Sequence, residues 1–434
     1  MILPDVNVLV HAHNAESAQQ EARMRRRWLL LGIGAAVALA IAATPIVLAP
    51  GSHPPPVPPA TAIDGAEHAR TVEAMRPPKR ETPVIAIFVL NEATEVTDFL
   101  VPYGVLQRAN VAEVTVVAER AAPVPLYPFS RLGRGPQLLE IEPQATTRTF
   151  DERYPDGADY VVVPAIEPRN DRFAMDWIIA QRRKGAKIVS VCAGALTLGA
   201  AGLLDGRRAT THWAYVDELQ TDHPTMQWVR DRRYVADNGI VTSTGITASI
   251  PVTLALVEAI AGRARTAQLA RDLGVADWDA RHRSSAFQLT TEHQKTFVRN
   301  WLSFWRRETL GVPVGEGVDE IALALTVDAY SRTALSKVVT VGTSGEAVRS
   351  RHGLVIHPLA SSRAAAVGHM LPPPQSDVPA LTVERELARI ASRFDRPTAD
   401  IVALVIEYPW HAHRADDAAQ EAVSSQQAAI GDVH

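Results

Sequence analysis

The sequence predicts an α/β protein built on a doubly wound parallel sheet, preceded by one transmembrane helix and followed by a smaller, degenerate α/β repeat. Three observations predict it. Short β-branched runs alternate with helix-length segments from Val84 onward, residues 28–48 form one uncharged apolar stretch, and strand and helix text recurs near the carboxy terminus at a fixed offset. Composition narrows function before any motif does. The 434 residues are 47% hydrophobic and 21% charged, which is enough for two or three folded domains. The single cysteine, Cys192, excludes an internal disulfide and a multi-thiolate metal cluster. A formal charge of −4 argues against a general nucleic-acid binder.

The chain opens on MILPDVNVLVHAHNAES, an apolar, strand-like run with Asp5 inside it. This run resembles the start of a PIN-domain ribonuclease. It ends before supplying the further acids that a hydrated magnesium site needs, so no nuclease activity is expected and Met24 is an alternative start. Residues 28–48, WLLLGIGAAVALAIAATPIVL, match the roughly 20 apolar residues that cross a bilayer. Arg25, Arg26 and Arg27 precede them and no basic cluster follows, which leaves the amino terminus cytoplasmic and the bulk of the chain outside. The alternative is a cleaved export signal. Arg25 to Leu29 resembles a twin-arginine signal, and Ala40, Ile41 and Ala42 offer small residues for cleavage. GSHPPPVPPATAIDG then reads as an extended, Pro-rich linker.

The main domain follows. VIAIFVL from Val84, a helix through residues 104–109, VTVVA, a strand at 160–164, a helix over 172–184, KIVSVC and a helix at 194–201 alternate as a sheet covered on both faces does. Function in such sheets gathers at the carboxyl ends of the strands, where Cys192 stands. The order of strand, sharp turn and helix around Cys192 forms an elbow. Gly194 permits the turn, and the following helix amino terminus favours a thiolate, a route to a depressed thiol pKa. A buried structural cysteine is the competing reading.

Residues 191–213, VCAGALTLGAAGLLDGRRATTHW, resemble the ThiJ/PfpI family of the class I glutamine amidotransferase-like superfamily, especially its isonitrile-hydratase and AraC-regulator sensor branches. Residues 96–102, 160–164 and the stretch from Arg233 to Gly245 carry the same likeness, over about 83–274. The resemblance implies a three-layer, flavodoxin-like fold and a small-molecule ligand or substrate. It places the family's nucleophile on Cys192, its sulfur-bonding acid on Asp98 and a neighbouring histidine on His212. Such parts suit nucleophilic or acid/base work. Ala165, Ala193, Gly194, Trp213 and Gly245 fall in the implied oxyanion region or pocket. Departures weigh on chemistry. Pro164, Ala165 and Ile166 replace the two glycines of many members, and Ala193 after the cysteine removes the histidine of the protease branch, so peptidase activity is not expected.

Towards the carboxy terminus, Glu113 to Ala118 parallels Lys337 to Gly342 at an offset of 337 − 113 = 224, with Leu106/Tyr330 and Arg108/Arg332 in step. A second parallel sets Thr266 beside Thr398, offset 398 − 266 = 132. The second copy would therefore lack a middle segment that includes the elbow cysteine, and Ala322 stands where Asp98 does. Such a half-length unit needs a partner surface, by docking within the chain or in a homodimer. The chain is thus divided into a cytoplasmic leader (1–27), a span or signal (28–49), a linker (50–82), the main domain (83–275), a helical connector (276–312), the truncated repeat (313–410) and a flexible tail (411–434). No cofactor or metal site is expected, since phosphate-loop, dinucleotide and HExxH motifs are absent and His411 with His413 lacks a third ligand. No basic recognition helix follows Leu310, so direct nucleic-acid binding is not expected. The functional expectation is a membrane-anchored cysteine-dependent hydrolase or hydratase. The alternative is a ligand- or redox-sensing module.

Overall fold

A computed structural model describes residues 60–410, except 132, 344, 345, 363–365 and 376. The leader, the apolar stretch 28–48, residues 50–59 of the linker and the tail lie outside the described residues, while the remainder of the linker expected to be extended, 60–82, holds a helix at Gly65–Ala74 capped by the Asp64 side chain. Among the described residues no helix is long and apolar enough to cross a membrane.

The principal elements in chain order are α1 (Gly65–Ala74), β1 (Val84–Phe88), α2 (Val96–Ala109), β2 (Glu113–Ala118), β3 (Ala145–Thr146), β4 (Tyr160–Val163), α3 (Arg172–Arg183), β5 (Lys187–Ser190) and α4 (Gly194–Ala200). Then come β6 (Tyr234–Asp237), β7 (Ile240–Ser243), α5 (Ser249–Ala261), α6 (Arg263–Leu273) and α7 (Thr291–Leu302). The carboxy-terminal unit holds β8 (Glu308–Val314), α8 (Glu320–Ser331), β9 (Ser336–Gly342), β10 (Ala360–Ser361), β11 (His369–Met370), α9 (Thr382–Arg393) and α10 (Arg396–Val405).

The main sheet runs β6-β7-β5-β4-β1-β2-β3, parallel throughout except for the antiparallel edge strand β6. Every residue of β1 and β4 is buried, as expected where helices cover both faces of a sheet. Strand switching from β1 to β4 and β5 brings the carboxyl ends of those strands together, and the elbow sits there.

The carboxy-terminal unit begins at Glu308, ahead of the expected boundary at 313, because β8 pairs with β9 along its whole length from Glu308 to Val314. Its four parallel strands run β10-β9-β8-β11. The unit is joined to the main domain in two ways. A separate small sheet crosses the boundary, with Val355–Pro358 pairing antiparallel to Leu139–Ile141. Helix α8 also packs on α2, where Gly104 lets the backbones approach: a Cβ there would meet the Ile321 side chain at 2.7 Å. Both helices are buried almost all round, so their apolar surfaces form one continuous core.

Candidate functional site

The elbow is held from three sides. Cys192 has φ 56°, a left-handed conformation unusual for a residue with a side chain and one that functional turns commonly carry. Its N–H donates to Ser243 Oγ at 3.4 Å, and its carbonyl accepts from Thr211 Oγ1 at 3.0 Å. Only glycine fits at position 194, because a Cβ would run into the carbonyls of Val163 and Pro164 at the end of β4. The sequence-expected elbow is therefore present.

Its electrostatics differ from expectation. Cys192 is 5% exposed, and burial pushes its thiol well above the ordinary range, reinforced by the nearby Asp98 and Glu95 carboxyls. The Ala193 N–H at the helix start favours the thiolate but is outweighed. The depressed thiol pKa expected from the helix terminus is thus corrected: desolvation and acidic neighbours win over one short helix.

Asp98 lies in the first turn of α2 and is fully buried. Its Oδ2 accepts from the Ala165 N–H at 3.3 Å, while Oδ1 has no partner among the described residues. Burial first, then Glu95, holds its pKa well above the usual carboxylate value, which favours the protonated form. The same bond commits the Ala165 N–H to Asp98, and an oxyanion would have to compete for it.

His212 caps the turn Trp213–Tyr215. Its Nδ1 accepts from the Ala214 N–H at 3.1 Å, which places the ring proton on Nε2, and Nε2–H donates to the Val405 carbonyl at 2.8 Å. Burial lowers its pKa, keeping it neutral. Both nitrogens are spent on backbone, so His212 is near the elbow but is not hydrogen-bonded to the thiol. Trp213 and Gly245 are occupied too, by the end of α10. Trp213 Nε1–H donates to the Leu404 carbonyl at 2.9 Å, and the Gly245 N–H donates to Glu407 Oε2 at 2.5 Å. A Cβ at Gly245 would strike that carboxylate and the His212 ring. Glu407 also meets His282 Nε2 at 3.0 Å.

Sequence reasoning missed the charged residues that join the two units. Glu95 caps α2, its Oε2 accepting from the Thr97 and Asp98 N–H groups at 2.7 Å each. Arg332, at the end of α8, donates to Glu95 Oε1 at 3.1 Å, to Asp328 Oδ2 at 2.8 Å and to the Phe129 carbonyl at 2.7 Å. One guanidinium thus faces three buried carboxyls, Glu95, Asp98 and Asp328, and cannot offset all three charges. Glu95 is pushed up to about 7 by burial and then by Asp328. The interface has a second, reciprocal pair: Arg108 at the end of α2 reaches Asp319, which caps α8. The signal was in the sequence, since Glu95 and Asp319 are separated by the same 319 − 95 = 224 as Arg108 and Arg332.

A cavity of about 1260 Å³ opens elsewhere, lined among others by His68, Lys79, Glu258, Arg263 and Trp278, and none of its lining residues belongs to the elbow.

The chain is similar in sequence to known proteins. The DJ-1/PfpI family pattern matches residues 84–259. The chain is 36% identical over 190 residues to isonitrile hydratase of Pseudomonas putida, which is 42% of this chain and 74% of that one. It is 38% identical over 52 residues to the helix-turn-helix-type transcriptional regulator CdhR of Pseudomonas aeruginosa, 12% of this chain and 16% of the regulator. Among solved structures, DJ-1β of Drosophila melanogaster aligns with a TM-score of 0.38 at 21% identity, over 45% of this chain and 100% of that one.

Proposed function

Because the chain belongs to the DJ-1/PfpI family, we propose that the Cys192 site is a small-molecule sensing site covered by the chain's own carboxy-terminal unit. One observation carries this reading. His212, the candidate proton carrier, spends one ring nitrogen on Ala214 and the other on Val405 of the covering unit, and so exchanges no proton with Cys192 in this state. A buried thiol whose pKa is raised suits a recognition pocket better than standing nucleophilic catalysis. The test is the pH dependence of Cys192 alkylation in the full chain. An apparent pKa above the free value of about 8.5 is expected, and a value below it would overturn the reading.

A second reading is favoured by the likeness to isonitrile hydratase together with the left-handed elbow. With the cover displaced, Cys192 Sγ would bond the isonitrile carbon as Asp98 gives that carbon a proton and takes up the thiol proton; water then adds to the resulting thioimidate carbon and the C–S bond breaks, leaving the formamide and the thiol. Formation of an N-substituted formamide from a small isonitrile, lost in Cys192→Ser, would establish it. Peptidase activity forms no part of either reading.

We also propose that residues 308–410 are a truncated repeat of the main domain. The strand–helix–strand order β8-α8-β9 parallels β1-α2-β2, the pair α9-α10 stands where α5-α6 stands, and the ion pairs Arg332–Glu95 and Arg108–Asp319 are reciprocal, as in an isologous interface. Finally, residues 28–48 are proposed to anchor the chain in the membrane with the described residues outside the cytoplasm. The support is hydropathy and the arginines at 25–27. Protease protection in spheroplasts tests it: degradation of the domain from outside is expected.

A further inference from the structure

Helix α7 is inside out. Its inward side is polar: Thr296, Asn300 and Ser303 are buried, with Asn300 Nδ2–H donating to the Thr333 carbonyl at 3.1 Å and to Thr398 Oγ1 at 2.9 Å. Its outward side is aromatic. Phe297 and Trp301 lie one turn apart on α7 and are 37% and 45% exposed, and Phe304 and Trp305 on the following turn are 69% and 72% exposed. An ordinary surface helix buries the second set and exposes the first. Four large exposed aromatic side chains fall within nine residues, Phe304 and Trp305 with ring centroids 5.2 Å apart, a concentration of the kind that marks an interaction surface.

The charges around the patch select its partner. Lys295 is matched by Glu292 and Arg299 by Asp395. Arg306 and Arg307 are exposed and have no carboxylate partner among the described residues, although the whole chain is net negative. Aromatic rings beside unmatched arginines fit the headgroup level of an anionic bilayer, where the rings enter the interface and the guanidiniums meet phosphates. A second copy docking on the same face would bring two positive patches together. The chain between Leu48 and Gly65 extends to roughly 55 Å, long enough to let the domain reach the membrane surface.

We propose that Phe297, Trp301, Phe304 and Trp305, with Arg306 and Arg307, seat the folded domain on an anionic membrane surface. The inference rests on the reading of residues 28–48 as an anchor for its geometry, and the experiment separates the two. The full chain carrying Cys192→Ser receives an environment-sensitive fluorophore at Leu302→Cys, or at Arg148→Cys as an exposed position outside the patch. It is then mixed with vesicles of pure phosphatidylcholine or of equal parts phosphatidylcholine and phosphatidylglycerol. Flotation with pure phosphatidylcholine scores the anchor alone.

The patch predicts that brominated lipid quenches the label at 302 several-fold more than the label at 148, and more strongly with phosphatidylglycerol. Phe304→Ser/Trp305→Ser should lower quenching at 302 to the level at 148. Arg306→Glu/Arg307→Glu, which reverses exposed charge and also removes the Arg307 bond to the Trp301 carbonyl, should remove the dependence on phosphatidylglycerol, and Arg306→Glu alone, which leaves that bond in place, should weaken it. Equal quenching at 302 and 148 would overturn the proposal whether or not the chain floats. So would disulfide-linked dimers through position 302 in place of lipid quenching, which would assign the face to a second copy.

Discussion

The two halves of the α2–α8 interface use the same chemistry to opposite ends. Arg108 of the main domain pairs with the cap of α8, and Arg332 of the carboxy-terminal unit pairs with the cap of α2. On the first side, Ala322 follows the cap three residues on, and the ion pair closes a helix start and nothing more. On the second, Asp98 occupies that place, and the same ion pair lies against the acid and thiol of the elbow. One unit thus carries the elbow and the other packs its arginine against it.

That asymmetry can be broken at either arginine. Arg332→Ala strips from Glu95 and Asp328, both essentially fully buried, the only guanidinium that meets them among the described residues, and should cost about 3–5 kcal/mol in urea unfolding. It should also speed Cys192 alkylation, because the cover is then free to lift. Arg108→Ala leaves Asp319 with its bond to the Ala322 N–H at 2.9 Å and should cost about 1–3 kcal/mol, with no change in alkylation rate. Equal effects of the two variants on the thiol would remove the distinction between the sides.

A gentler perturbation acts where the cover meets the His212 turn. Gly245→Ala places a methyl group against Glu407 and His212 at an otherwise ordinary backbone angle of φ −59°. The expected loss is about 1–3 kcal/mol, with faster hydrogen exchange confined to the end of α10 and the 212–215 turn. Unchanged exchange there would mean that the Glu407 contact does not hold the unit down.

Much of this comparison was legible in the sequence. The buried β-branched runs, the elbow and the 224-residue offset are local patterns, and α4 falls where the sequence places it, whereas α2 starts at Val96, eight residues ahead of the helix read from the sequence. What the sequence did not disclose depends on distant segments meeting. Glu407 is 162 positions from Gly245, and Val405 is 193 from His212. No local period reports such contacts. The thiol's electrostatics were misread for the same reason: the helix start that favours a thiolate is visible beside Cys192, whereas the carboxyls and the cover that oppose it come from 95, 98 and 407. For His212 the sequence shows an imidazole near the elbow but not the two backbone partners that occupy it.

The smallest expected effect tests whether Asp98 is the neutral member of the buried cluster. Its folded pKa lies above the ordinary 3.8, so between the two values the folded state holds a proton that the unfolded chain has released. The stability linked to that proton is therefore full below about pH 4 and is lost as pH rises through the folded pKa. Glu95, raised to about 7, adds a loss of the same sign between about pH 4.5 and 7. His212 runs the other way: its lowered folded pKa removes stability as pH falls below 6.5. Asp98→Asn mimics the protonated acid, and its amide oxygen can still accept from the Ala165 N–H. The urea midpoint of this variant should match the parent near pH 4 and exceed it near pH 8, while the His212 limb stays common to both proteins. A midpoint below the parent's near pH 8 would mean that Asp98 is ionised beside Arg332, and the charge assignment of the covered site would have to be reversed.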